Sequence, residues 1–236
     1  MKARPILFKP DMVRAILDGR KTQTRRIVKP LAGAGWRPET AHGDALRLGK
    51  ITSPHPKKGR FGLFMRREIH PGSGKYEHDL VPCPYGAPGD LLWCRETWQV
   101  SEFPDYEPPM YLYAANPSDH SELRERGLSW RPSIHMPRHA SRLTLEITDV
   151  RVERLQDISE EDARAEGIVD GGCLNCGEPE PCACAEPAPD ARDAFIHLWR
   201  SINGEESWTA NPWVWVVEFH PHHMNVDALL RGREVA

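Results

Sequence analysis

No strongly apolar run in this sequence is longer than Trp213–Val217, so its core has to be assembled from short elements separated by turns. Eighteen Gly and 22 Pro among 236 residues supply those breaks, above the ordinary share but below that of disordered chains. The expectation is a compact core carrying long irregular insertions. A membrane-spanning helix needs about 20 apolar residues. Near the N-terminus only Ile6-Leu7-Phe8 is apolar, too short for the apolar stretch of a secretory signal. A cytoplasmic chain with no membrane partner is expected, and six Cys there argue against a disulfide framework.

Asp11 can cap a short helix with Met12, Val13, Ile16 and Leu17 on its apolar face and Gly19 at its end. Residues 31–87 are Gly/Pro-rich and basic, and read as an insertion or long hairpin with a short strand at Phe61–Met65. Gly86–Asp90 is a turn before a strand over Leu91–Trp98. Residues 99–140 read as irregular apart from a strand at Met110–Ala114. Leu143–Leu155 alternates, with a local shift before Val150. Ser159-Glu-Glu-Asp162 is a capping box opening a helix that Gly167 stops. After a third insertion, 168–190, Asp190 caps a helix with Phe195, Leu198, Trp199 and Ile202 on one face. Trp213–Phe219 reads as a buried strand, and 223–236 as a loose tail. The order predicts one α+β domain over 1–222, with a largely antiparallel sheet or small barrel.

Charge is divided unevenly. Residues 1–80 carry 18 Lys/Arg against 7 Asp/Glu, net +11, and residues 81–236 carry net −14. The near-neutral total therefore hides an anion-seeking front and an acidic rear. The densest basic stretch is Gly19-Arg20-Lys21-Thr22-Gln23-Thr24-Arg25-Arg26. If the segment turns, Lys21 and Thr24 fall on one side; in a flat strand they would separate. Taken alone, it reads equally as a solvated charge run after a helix C-terminus.

Gly-x-Lys-x-x-Thr-x-Arg after a short helix resembles the signature of the ASCH family, a branch of the PUA-like barrels. Gly89-Asp90 before a strand, the acidic helix of Leu155–Glu166 and the strand Trp213–Phe219 follow in the same order. Arg95-Glu-Thr-Trp98, Trp130–Pro137 and Asn211–Trp215 resemble segments of the larger ASCH proteins often encoded by phages and prophages. The resemblance covers about half the chain. It implies a PUA-like small β-barrel with short flanking helices and insertions at 31–87, 99–140 and 168–190.

Some small ASCH proteins are amidohydrolases that deacetylate acetylcytidine, and carry-over by motif position gives Lys21, Thr24 and Glu166. Glu160 and Glu161 lie on the same short helix, and a register shift would select one of them. The implied roles are Thr24 nucleophile, Lys21 base and Glu166 acid, with no cofactor. A Thr hydroxyl needs a neighbouring base, and Lys21 can serve if burial or nearby cations such as Arg20 and Arg25 lower its pKa. The alternatives are recognition of a nucleoside or single-stranded RNA without turnover, or metal-independent RNA cleavage.

Candidate ligand contacts are Arg20, Arg25, Arg26, Glu96, Trp98, Trp130, Arg131 and Arg138, where cations meet phosphates and rings stack on bases. Each has a structural counterpart: core aromatics, a cross-strand ion pair for Arg95–Glu96, or a loop pinned to acids for 130–142. Cys173, Cys176, Cys182 and Cys184 have spacing that can hold one structural zinc ion, or form an unliganded loop. Cys83 and Cys94 read as lone thiols.

Overall fold

The computed structural model describes residues 1–41, 45–101, 110–169 and 191–234. In chain order its elements are β1 (Ala3–Leu7), α1 (Pro10–Leu17), β2 (Gln23–Ile27), β3 (Arg37–Pro38), β4 (Leu48–Lys50), β5 (Phe61–Glu68), β6 (Tyr76–Pro82), β7 (Leu91–Arg95), β8 (Trp98–Ser101) and β9 (Met110–Tyr113). They continue with α2 (Pro117–Glu125), β10 (Thr144–Arg154), α3 (Glu160–Ala165), α4 (Ala191–Asn203), α5 (Glu206–Thr209), β11 (Trp213–His222) and α6 (Val226–Glu234). The class is α+β. No helix is long and apolar enough to cross a membrane among the described residues.

The central sheet runs β1-β7-β10-β11-β2, parallel only between β1 and β7. Period-two alternation assigns its residues to two cores. In β11, Trp215, Val217 and Phe219 join the main cluster, whereas Val214 and Val216 pack with Leu155, Phe195 and Trp199 on the other side. In β7, Leu92 and Cys94 face the main cluster, and Leu91 and Trp93 meet Val226 of α6. The shift anticipated before Val150 is a bulge: Ile147 pairs with Phe219 but Asp149 pairs with Glu218, leaving Thr148 over. The edges β1 and β2 form no ladder with each other among the described residues. Arg26 Nη2 nevertheless donates to the Leu7 carbonyl at 2.9 Å, tying one edge to the other.

Three expectations need correction. Residues 31–87 are not irregular: β3, β5 and β4 form a sheet in that order, and β6 pairs with β5. Leu63, Met65, Val81 and Cys83 bury in the main cluster, so the insertion is stabilised by sharing that core. Gly62 makes the β5–β6 contact possible, because a Cβ there would lie 2.1 Å from the Val81 carbonyl oxygen. The strand expected over Leu91–Trp98 breaks after Arg95, and Trp98 starts the separate β8–β9 hairpin. Finally, the supposed loose tail contains α6, fixed by fully buried Val226 and by Arg138–Asp227 and Arg233–Glu146 ion pairs.

Candidate functional site

The basic turn is positioned by the end of α1. Pro10 begins that helix, Val13 and Ile16 bury its apolar face, and Gly19 (φ 76°) reverses the chain. The Arg20 and Lys21 amides then both donate to the Ala15 carbonyl at 2.9 Å. On the other side, Ser159 Oγ accepts from the Asp162 amide and starts α3, which closes on Glu166 and Gly167 (φ 89°). A Cβ on Gly167 would lie 2.9 Å from the Cβ atoms of both Ala15 and Lys21. The glycine is therefore required for the two turns to touch. Lys21 and Glu166 form an isolated antiparallel bridge there, and the Thr22 amide donates to the Ala165 carbonyl.

The contact carries an ion pair. Lys21 Nζ donates to Glu166 Oε2 at 2.6 Å and to the Glu166 carbonyl at 2.9 Å, with side chains 1% and 6% exposed. Burial lowers the Lys21 pKa; Glu166 opposes this through its charge and hydrogen bond, Arg26 and Arg25 reinforce it, and the net direction is down. Arg25, fully buried, reaches Glu153 at 2.6 Å, Asp162 at 2.9 Å and Glu166 at 3.4 Å. Burial pushes Asp162 up, but its hydrogen bond from Gln23 and the charges of Arg25 and Arg151 hold it below the usual aspartate range. The basic front and acidic rear meet here, largely by neutralising each other.

Beside this network lies a cavity of about 140 Å³ with Thr24, Arg26, Glu166, Tyr85, Phe195 and Trp199 in its wall. The Thr24 residue is 3% exposed, and its hydroxyl has no hydrogen-bond partner among the described residues. Trp199 Nε1 and Arg26 Nε are likewise buried donors without partners. A second cavity of about 240 Å³ shares Met12, Arg26 and Ile202 with the first and adds Phe8, Thr97 and Ser133. Together they form an apolar recess with a few convergent polar groups, the usual make-up of a small-molecule site.

Lys21, Thr24 and Glu166 are thus gathered at one place, Lys21 behind the wall that the other two line. Arg26 lines both cavities. Arg20 lines neither cavity and is bound to the Gly167 carbonyl and Asp18. Arg25 also lines the first cavity, with its guanidinium held by three carboxylates. The other expected contacts are not among the wall residues of either cavity. Glu96 is fully buried and held by Arg142 at 2.9 and 3.0 Å. Trp98 is 5% exposed under Arg131, whose guanidinium lies 5.4 Å from the ring centroid. Trp130 is half-buried against His120, and Arg138 pairs with Asp227 at 2.7 Å.

Of Arg95–Trp98 it is Thr97, and of Trp130–Pro137 it is Ser133, that line the second cavity. Tyr85, Phe195 and Trp199 were overlooked as wall residues; the i, i+4 pair on α4 was the available signal, and it reads equally as core. Cys83 and Cys94 are buried free thiols. Cys173, Cys176, Cys182 and Cys184 lie outside the described residues, and no group of three or more potential metal ligands is found among those described. Comparison with known proteins finds no matching family model, no matching curated protein and no matching solved structure.

Proposed function

We propose that the chain is an ASCH-type protein on a PUA-like barrel, and that its recess takes a nucleoside and removes an acyl group from an N-acylated cytidine. The observation that carries this reading is the 2.6 Å Lys21–Glu166 contact beside a cavity lined by Thr24, whose hydroxyl has no hydrogen-bond partner among the described residues. Burial favours the neutral amine of Lys21 that the reaction requires, against the charge and hydrogen bond of Glu166.

In this mechanism Thr24 Oγ attacks the acyl carbon while Lys21 takes the hydroxyl proton. Arg26, with a free Nε donor, is placed to stabilise the developing oxyanion. Lys21 hands the hydroxyl proton across the 2.6 Å contact to Glu166, which delivers it to the leaving amine of the nucleoside, giving an acyl-threonine. Glu166 then takes a proton from the attacking water and returns it to Thr24 Oγ as the carboxylic acid leaves. Phe195 and Trp199 offer ring faces, and an indole donor, to the base.

Hydrolysis of acetylcytidine by the wild type, lost at least 100-fold in Lys21→Ala, supports this function. A wild type with no turnover on the nucleoside or on acetylated RNA removes it. A second reading, recognition without turnover, draws on the depth of Lys21 and its neutralisation by Glu166. Its signature is saturable nucleoside binding with no acid released.

A further inference from the structure

A second cleft lies between the start of the chain and the 31–87 insertion, outside the recess built around Lys21. Its volume is about 630 Å³, and its wall includes Lys2, Arg4, Lys50, Arg60, Phe61 and Asp90. The single carboxylate in that set is already engaged: Asp90 receives Arg4 Nη1 at 2.8 Å and the Lys2 amide at 2.8 Å. The side chains of Lys2, Lys50 and Arg60 have no ion-pair or hydrogen-bond partner among the described residues. All three are exposed. Holding three cations in one concavity whose only lining carboxylate is already engaged is electrostatically unfavourable, and an anion in the cleft relieves it.

The cleft is shaped by backbone as well as by charge. The Gly59 amide donates to the Ile51 carbonyl and the Arg60 amide to the Lys57 carbonyl, so the loop before β5 is folded back with Arg60 on the cleft side. Gly86 (φ 121°) leaves room for the Arg4–Asp90 pair, since a Cβ there would lie 2.4 Å from Arg4 Nη1 and 2.6 Å from Asp90 Oδ2. The same turn divides the two sites. Pro84 and Gly86 line this cleft while Tyr85 lines the recess holding Thr24 and Glu166.

From this we infer that the cleft binds successive backbone phosphates of a single-stranded nucleic acid. The three exposed cations come from separate segments, before β1, at the end of β4 and before β5, and the cavity far exceeds the volume of one phosphate. Phe61, partly buried on the wall, supplies a ring on which a base can stack. Lys and Arg side chains grip the backbone without reading sequence, so affinity depends on salt rather than on base order. Binding here does not require turnover at Lys21.

The test measures anisotropy of a labelled single-stranded oligouridylate across a salt series. The wild type, Lys50→Ala/Arg60→Ala and the control Lys75→Ala/Arg124→Ala are compared. The control removes the same charge from exposed side chains outside the cleft. Losing two phosphate contacts lowers the slope of log affinity against log salt by about 1.4, with an affinity loss of roughly tenfold or more at low salt. The control keeps the wild-type slope. Wild type that fails to bind, a cleft variant with an unchanged slope, or equal losses in both variants overturns the inference. Uridine monophosphate binding as tightly as the oligonucleotide also overturns it, by making the ligand a single phosphate. Acetylcytidine carries no phosphate, so its hydrolysis stays at the wild-type rate in the cleft variant and reports separately on the recess.

Discussion

Two cationic regions of the same basic N-terminal third behave in opposite ways. Lys21 and Arg25 are buried and answered by Glu153, Asp162 or Glu166. Around Lys2, Lys50 and Arg60 the charges stand exposed, with no partner among the described residues. The first arrangement adjusts the protonation of its own members; the second is suited to gripping an external anion. Net charge along the sequence does not separate the two, because what matters is whether α3 and β10 deliver carboxylates to the same place.

The comparison is broken most severely by removing a carboxylate from the buried set. Glu166→Ala leaves Lys21 buried with no counter-charge and is expected to cost about 3–5 kcal/mol in denaturant unfolding, with Glu166→Gln costing less. A loss below about 1 kcal/mol means that the pair is solvated and the two regions do not differ in kind. Next in size is Gly167→Ala, at about 3 kcal/mol. Its Cβ meets Ala15 and Lys21 at 2.9 Å in a left-handed conformation. Wild-type stability in the same titration places it outside the contact between α1 and α3.

The pH dependence sharpens the contrast more gently. Burial holds the folded-state pKa of Lys21 below the ordinary lysine value. Between that lowered pKa and the unfolded one the native state binds fewer protons, so stability rises with pH across this window and is insensitive to Lys21 below it. Lys21→Met is expected to flatten that rise in a series of thermal melts. A slope unchanged by the substitution assigns the alkaline dependence to other groups. The smallest effect belongs to the exposed cleft: Lys50→Ala/Arg60→Ala should change stability by no more than about 0.5 kcal/mol. A larger loss means these side chains hold the insertion in place.

Local signals were legible wherever one residue type decides the backbone. Gly19, the Ser159 cap, Gly167 and the shift before Val150 all appear where the sequence indicated. The 31–87 insertion was not, because β3 and β4 have two and three residues and acquire order only by pairing with β5 and sharing the main core. Tail helix α6 was missed for a related reason: its stability comes from Val226 against Leu91 and Trp93, far away in sequence. At the candidate site, Lys21, Thr24 and Glu166 were named through a motif resemblance, and the structure brings them together. Glu153 and Asp162, which fix Arg25, were not: Glu153 on a strand reads as a solvated surface group, and Asp162 reads only as part of the capping box.

The central claim is that Thr24 is a nucleophile served by the Lys21–Glu166 pair. Rapid-quench mass spectrometry during acetylcytidine turnover tests it directly. An acetyl group on Thr24 that forms and decays with product release, and is absent from Lys21→Ala, is the predicted result. Acetate release with no adduct on Thr24, continuing in Thr24→Ala, contradicts it.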